Sequence, residues 1–167
     1  MKYVFAFIFI SVLCVSGYCQ KPQLKKNSEE LIYSFITIDN KTVVIAHEKQ
    51  QNYVVFRYGT KDKIEIEVIE SKTTADKKFK YSFFSKGTQG KFNYLDLNYL
   101  CLNIGSIQYV VFEDYVSIHE QPEVGIIITD ANIGDRKEIR GVAATKQGTL
   151  TGLKESELIE ITTNVYR

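Results

Sequence analysis

Tyr53-Val-Val-Phe-Arg-Tyr-Gly-Thr-Lys-Asp-Lys-Ile-Glu-Ile-Glu-Val68 carries the clearest structural pattern in the chain. Two β-patterned runs, Tyr53–Tyr58 and Ile64–Ile69, flank a polar segment at Gly59–Lys63. In the second run Ile64, Ile66 and Val68 fall on one face, and Glu65 and Glu67 share the other with Lys63, as a period of two requires. One side of the strand is therefore buried and the other wet. Gly59-Thr-Lys-Asp-Lys63 reads as a five-residue hairpin loop in which Gly59 is free to take positive φ. Arg57 and Asp62 flank that loop and are expected to brace the turn or to shape it for recognition. A surface ion pair of that kind is worth at most about 1 kcal/mol.

The same grammar continues on both sides. Upstream, Leu31–Ile38 and Thr42–His47 are β-formers separated by the turn Asp39-Asn40-Lys41. Downstream, residues 70–78 read as a charged loop, and Phe79, Tyr81 and Phe83 alternate on one face of the next strand. Phe92–Leu102 is denser: Leu95, Leu97 and Tyr99 alternate and Leu100 breaks step, which predicts a bulged strand or two short ones. Ile107–Phe112, Val124–Thr129, Glu138–Val142 and Leu158–Thr162 complete the set. Short strands at this spacing, with no sustained 3.6-residue pattern, predict a single all-β domain. Its expected form is an antiparallel β-barrel or sandwich of about eight to ten strands.

The N-terminus has the layout of a secretion signal. Lys2 precedes the apolar run Tyr3–Val15, and Ser16-Gly17-Tyr18-Cys19 is a short region of mostly small residues. The run is shorter than the roughly 18–20 residues that span a bilayer, so no transmembrane segment is expected after removal of the signal. The expected layout is a signal peptide over 1–19, a flexible leader over 20–30 and the all-β domain over 31–167. Cleavage after Cys19 leaves a soluble exported chain. The alternative is lipidation of Cys19 and anchorage to the envelope. In the soluble form Cys101 is the one cysteine left, and no internal disulfide can form. The signal holds one charge, Lys2, so the mature chain carries 21 less one, or 20, basic residues against 20 acidic. That balance gives no electrostatic case for nucleic acid.

Catalytic and metal-binding patterns are weak. His47, His119 and Cys101 are far apart in sequence, with nothing local to mark a nucleophile loop. Glu65 and Glu67 point the same way from one strand, whereas a glycosidase sets its carboxylates on opposite sides of a sugar. Asp130, Asn132 and Asp135 have loose calcium-loop spacing, but turn formation already accounts for them. No motif points to a cofactor. A small hydrolase using Glu65 and Glu67, or Cys101 with a histidine, is the enzymatic alternative to a non-enzymatic binding module for a protein or glycan.

The run Tyr53–Glu65, with Phe79-Lys-Tyr-Ser-Phe-Phe84, Leu95-Asp-Leu-Asn-Tyr-Leu100, Val124-Gly-Ile-Ile127 and Lys146-Gln-Gly-Thr-Leu150, resembles a group of small secreted bacterial β-proteins. The resemblance implies a bacterial source and a periplasmic or extracellular address, and carries no activity with it. Tyr81 with Lys86-Gly87 is similar to one of the short inhibitory motifs of the c-type lysozyme inhibitors, which are small β-barrels. That likeness implies a hydrolase inhibitor with Tyr81 and Lys86 at its recognition surface. The Ser-Gly partner motif of those inhibitors does not occur in the mature chain.

Overall fold

The computed structural model describes residues 24–50, 52–73, 78–88, 93–119 and 121–164. The expected signal segment, with Cys19, lies outside them. Eleven strands run in chain order: β1 (Glu29–Ile36), β2 (Thr42–Glu48), β3 (Tyr53–Thr60), β4 (Lys63–Ser71), β5 (Phe79–Lys86), β6 (Leu95–Ile104), β7 (Ile107–Val116), β8 (Glu123–Asp130), β9 (Asp135–Arg140), β10 (Gln147–Gly148) and β11 (Glu160–Thr162). Two 3-10 turns, Ala143–Thr145 and Leu150–Leu153, interrupt the last third. No helix among the described residues is long and apolar enough to cross a membrane.

The strands form two sheets, ordered β10-β1-β2-β3-β4 and β11-β5-β6-β7-β8-β9. The sheets do not close into a barrel. At one corner a bridge joins Thr37 to Gly141, flanked by Ile38 N–H donating to Arg140 O (2.9 Å) and Val142 N–H donating to Ile36 O (2.8 Å). At the opposite side β4 and the β5/β11 pair are free edges. All strand pairs are antiparallel except β11 with β5. The interior between the sheets holds Tyr33, Phe35, Val43, Ile45, Phe56 and Val68 from one side and Phe79, Tyr81, Leu100, Val111 and Ile126 from the other.

The alternation in β4 is as expected: Val68 is buried on the inner face while Glu65 and Glu67 point outward. The hairpin itself is tighter than its sequence suggests. β3 runs on to Thr60 and β4 starts at Lys63, so only Lys61 and Asp62 form the turn. Gly59 is not in the left-handed region. It sits at a register shift, and a Cβ there would lie 2.3 Å from Lys63 O. Close backbone approach, not positive φ, is what requires glycine at this position.

Three other expectations are corrected. Glu70 belongs to β4, not to a loop; it continues the inward row of Ile66 and Val68 and is fully buried. β6 is one unbroken strand with continuous register against β7. Leu100 breaks step because both faces of β6 are buried: Leu100 and Leu102 face the interior, while Tyr99 and Cys101 join Val110, Phe112 and Ile127 in an apolar layer on the outer face. A strand apolar on both sides loses its two-residue alternation. β1 starts at Glu29, inside the stretch that reads as a leader, and a bulge between Leu31 and Tyr33 changes the face it presents. Leu31 packs on the outer face with Val44, Ala46 and Val55, whereas Tyr33 and Phe35 enter the core.

Gly148 closes the edge of the first sheet. It has φ +71°, and a Cβ there would fall 2.0 Å from the carbonyl oxygen of Ile32, the bulge residue. Gly148→Ala is expected to lower stability by at least about 2 kcal/mol, combining left-handed strain with backbone displacement. Urea denaturation checks this, with Gly134→Ala as comparison: Gly134 is also at positive φ (+68°) but has open space around it, so only the strain applies.

Candidate functional site

The residues singled out in the sequence occupy two separate places. Arg57 lies on the outer face of the five-stranded sheet and is fully buried. Its Nη1 and Nη2 donate to Glu29 Oε2 and Oε1 at 2.6 and 2.8 Å, its Nε donates to Glu67 Oε2 at 2.5 Å, and Nη1 also reaches Leu24 O at 2.9 Å. Glu67 is its direct cross-strand partner. Arg57 therefore binds β3 to β4 through Glu67, and Asp62 lies in the exposed turn. Its second partner comes from β1, which no local pattern around Arg57 could reveal.

Glu29 is satisfied on both oxygens. Oε2 accepts from Lys26 N–H (2.8 Å) as well as Arg57, and Oε1 accepts from the Tyr53 hydroxyl (2.9 Å) as well as Arg57. Burial alone would raise its pKa. The Arg57 hydrogen bonds, the Lys26 N–H, the Tyr53 hydroxyl and the Arg57 charge more than offset this and hold it at about 2. The guanidinium is correspondingly raised above its ordinary value by the two glutamates, against its own burial. With four of its five guanidinium N–H groups engaged, Arg57 makes this cluster an internal fastener that holds residues 24–29 to the sheet.

The second place is β5. Tyr81 is fully buried between the sheets, and its hydroxyl donates to Asn98 Oδ1 at 2.5 Å. Lys86 is exposed at the far end of the same strand, before Gly87 at φ +90°. Tyr81 and Lys86 therefore do not share a surface loop. Between them the strand passes from interior to surface: Phe79, Tyr81 and Ser82 are buried, and Phe83 to Lys86 are all exposed. Phe83 and Phe84 keep 44% and 43% of their surface in solvent, on opposite faces of the strand.

The cause is the edge. β11 pairs with β5 only at Lys80, Tyr81 and Ser82. From Phe83 to Lys86 the strand pairs with β6 on one side, and no strand among the described residues lies on the other. The Phe83 ring is stacked against Tyr81 at 5.8 Å, and Lys154 Nζ stands 4.3 Å from its centroid. Ile161 of β11, level with Tyr81, is 48% exposed beside it. The alternation of Phe79, Tyr81 and Phe83 is visible in the sequence, but the short parallel β11 that leaves half of the edge open is not.

The remaining chemical candidates are dispersed. Cys101 is buried on the outer face of the six-stranded sheet and paired in register with Val110. His119 lies in the turn beyond Val116, about 20 Å further along at roughly 3.3 Å per residue, and its Nδ1 is 3.9 Å from Glu123 Oε1. His47 is on β2 of the other sheet. Glu65 and Glu67 are paired with Lys41 (2.7 Å) and Arg57 respectively. Among the described residues no three His, Cys, Asp or Glu side chains gather to hold a metal ion. Asp130 Oδ1 instead accepts from Asn132 N–H at 2.9 Å, as turn-forming aspartates do. A cleft of about 150 Å³ beside Phe112, Val124 and Arg140 falls well short of the roughly 300 Å³ at which small-molecule sites begin.

Arg57→Met is expected to cost about 3–5 kcal/mol, because it leaves Glu29 buried and uncompensated, whereas the double variant with Glu29→Met recovers most of that loss. Glu29 also imposes a pH dependence. Its carboxyl falls from 4.5 to about 2 on folding, so its contribution is fully present above pH 4.5 and is lost as the pH drops through about 2. The stability difference between the parent and Glu29→Gln, measured by denaturation at stepped pH, is expected to shrink across that window.

No family model, no curated protein and no solved structure matches this chain.

Proposed function

We propose that this chain is an exported bacterial binding module without catalytic activity, which takes a protein or glycan ligand at the open half of the β5 edge. The observation that carries the reading is the exposed aromatic pair Phe83 and Phe84 on that edge, next to Lys154 and Lys86. Among the described residues the other aromatic side chains are buried or half-buried: most fill the core or the outer apolar layers, and Tyr94 and Tyr115 pack on each other at 6.1 Å. Large aromatic side chains provide contact area at low entropic cost and are enriched where proteins bind ligands. Two of them half in water, on a rigid strand, are a binding surface in search of cover. Export is supported by Lys2 and the apolar run Tyr3–Val15, and hydrolase inhibition is one form such binding would take.

A photoreactive phenylalanine analogue at position 84 tests the reading. It is expected to give a saturable light-dependent adduct in envelope extracts, competed away by unlabelled chain. The same analogue at Ile133, 74% exposed in the β8–β9 turn, is expected to give none. Equal labelling from both positions would sink the reading.

A further inference from the structure

The free edges of the two sheets are not equivalent. β9 (Asp-Arg-Lys-Glu-Ile-Arg, 135–140) is charged at five of its six positions. β4 alternates Lys63, Glu65 and Glu67 along its outer face. β10 is two residues long. Shortness and charge are the usual means by which a sheet edge is kept from pairing with another chain. Among the described residues no strand covers the outer side of Phe83-Phe-Ser-Lys86, and the segment has no run of charges and ends in one lysine.

We infer that Phe83–Lys86 is an acceptor for strand addition, and that its ligand is an extended peptide segment of a partner protein with apolar and acidic side chains on both of its faces. This deepens the binding reading above and rests on it. Three observations define the ligand. First, the seat continues an interface that already exists. β11 lies against Lys80–Ser82 and pairing stops at Thr162, so an incoming strand extends the same line along the next four residues. In an antiparallel ladder alternate residues turn their N–H and C=O away from the strand they pair with, so β5 presents main-chain donors and acceptors on the side opposite β6. Second, Phe83 and Phe84 project to opposite faces, so apolar contacts are offered above and below an added strand.

Third, the charges at this seat are positive. Lys86 lies at the end of the open segment and Lys154 stands over Phe83, and neither forms an ion pair among the described residues. Lys80, which is paired with Glu160 at 3.4 Å, shows how an acidic neighbour on the next strand is accommodated one turn of the pleat away. The same two lysines disfavour pairing between two copies of this edge, because each copy would bring its own to the seam. Ser85 donates its hydroxyl to Asp96 at 2.6 Å, so this carboxylate is engaged on β6, the strand with which β5 already pairs.

The test uses the full chain and two blocked peptides of about eight residues, a typical strand length, one repeating Val-Val-Glu-Glu and the other Val-Val-Lys-Lys, so that each face of the strand carries both kinds of side chain. The acidic peptide is expected to bind at least about tenfold more tightly than the basic one, and to protect the amides of Phe83–Lys86 from hydrogen exchange. Phe84→Ser, at a half-exposed position, is expected to weaken the acidic peptide about tenfold or more by removing the apolar contact without adding charge, with an unchanged denaturation midpoint. Lys86→Glu is expected to erase or reverse the preference between peptides. Equal binding of the two peptides, or protection elsewhere but not at 83–86, would overturn the proposal. If protection at 83–86 appears without peptide as protein concentration rises, and the mass doubles, the occupant is a second copy and the proposal also fails. If cross-linking from position 84 captures a partner but neither peptide binds, strand addition falls while the binding reading stands. If both fail, so do both readings.

Discussion

Glu70 and Glu113 face into the sandwich from opposite sheets, and each accepts backbone N–H groups from chain that belongs to the other side. Glu70 Oε2 takes the N–H of Lys78 and of Phe79, at 2.5 and 3.2 Å, where the chain leaves the first sheet and enters β5. Glu113 Oε2 takes Leu150 N–H at 2.8 Å and the Thr149 hydroxyl at 2.9 Å, and Oε1 takes Lys146 Nζ at 2.7 Å, where the chain passes β10. Tyr33 adds a longer link, its hydroxyl donating to Phe112 O at 3.4 Å. A crossing segment cannot use sheet hydrogen bonds, and each orphaned N–H buried there would cost about 1–3 kcal/mol. The inward carboxylates remove that cost at the two crossings. The fold needs such devices because Cys101, the one cysteine among the described residues, is a free thiol and no disulfide holds the sheets together there.

The same architecture sets what the surface can do. The Thr37–Gly141 bridge closes one corner, which leaves the opposite side open. There the chain returns only as the three-residue β11, so β5 is covered for Lys80–Ser82 and uncovered for Phe83–Lys86. The transition from core to surface along one strand follows from that partial cover. Tyr81 and Phe83 have the same side-chain direction and stack on each other, yet one is buried and the other half exposed. The buried half of that edge is anchored by the Tyr81 hydroxyl on Asn98.

Local pattern in the sequence was enough for the strands and their polar turns, because alternation in β4 and glycine and asparagine at turns are nearest-neighbour effects. It was not enough where both faces of a strand are buried. Leu100 beside Tyr99 reads as a break in step only if one face is assumed wet, and β6 has no wet face over that stretch. Glu70 reads as the start of a charged loop because charge normally signals solvent; the N–H groups of Lys78 and Phe79 that its Oε2 accepts lie eight and nine residues away. The candidate edge was half legible. The aromatic run in β5 is visible in the sequence, and Tyr81 and Lys86 stand on the same strand, but exposure depends on where β11 stops, some 80 residues later.

Arg57 shows how a long-range pair can act back on local structure. Glu29 and Leu31 share the outer face of β1 only because the bulge before Tyr33 inserts one extra residue. A regular strand would place Glu29, Leu31, Tyr33 and Phe35 on one face, and would turn the carboxylate inward with the two aromatics. The apolar pattern alone does not forbid this, since Leu31 is acceptable on either side. A buried charge is not: it must find its partner or be expelled. Glu29 meets Arg57 only in the bulged register, and the bulge in turn brings Ile32 O to Thr149 N–H (3.1 Å) and against Gly148. The ion pair therefore acts on specificity more than on stability. It selects the one pairing of β1 in which β10 can dock, and through β10 it reaches the segment that Glu113 holds from the other sheet.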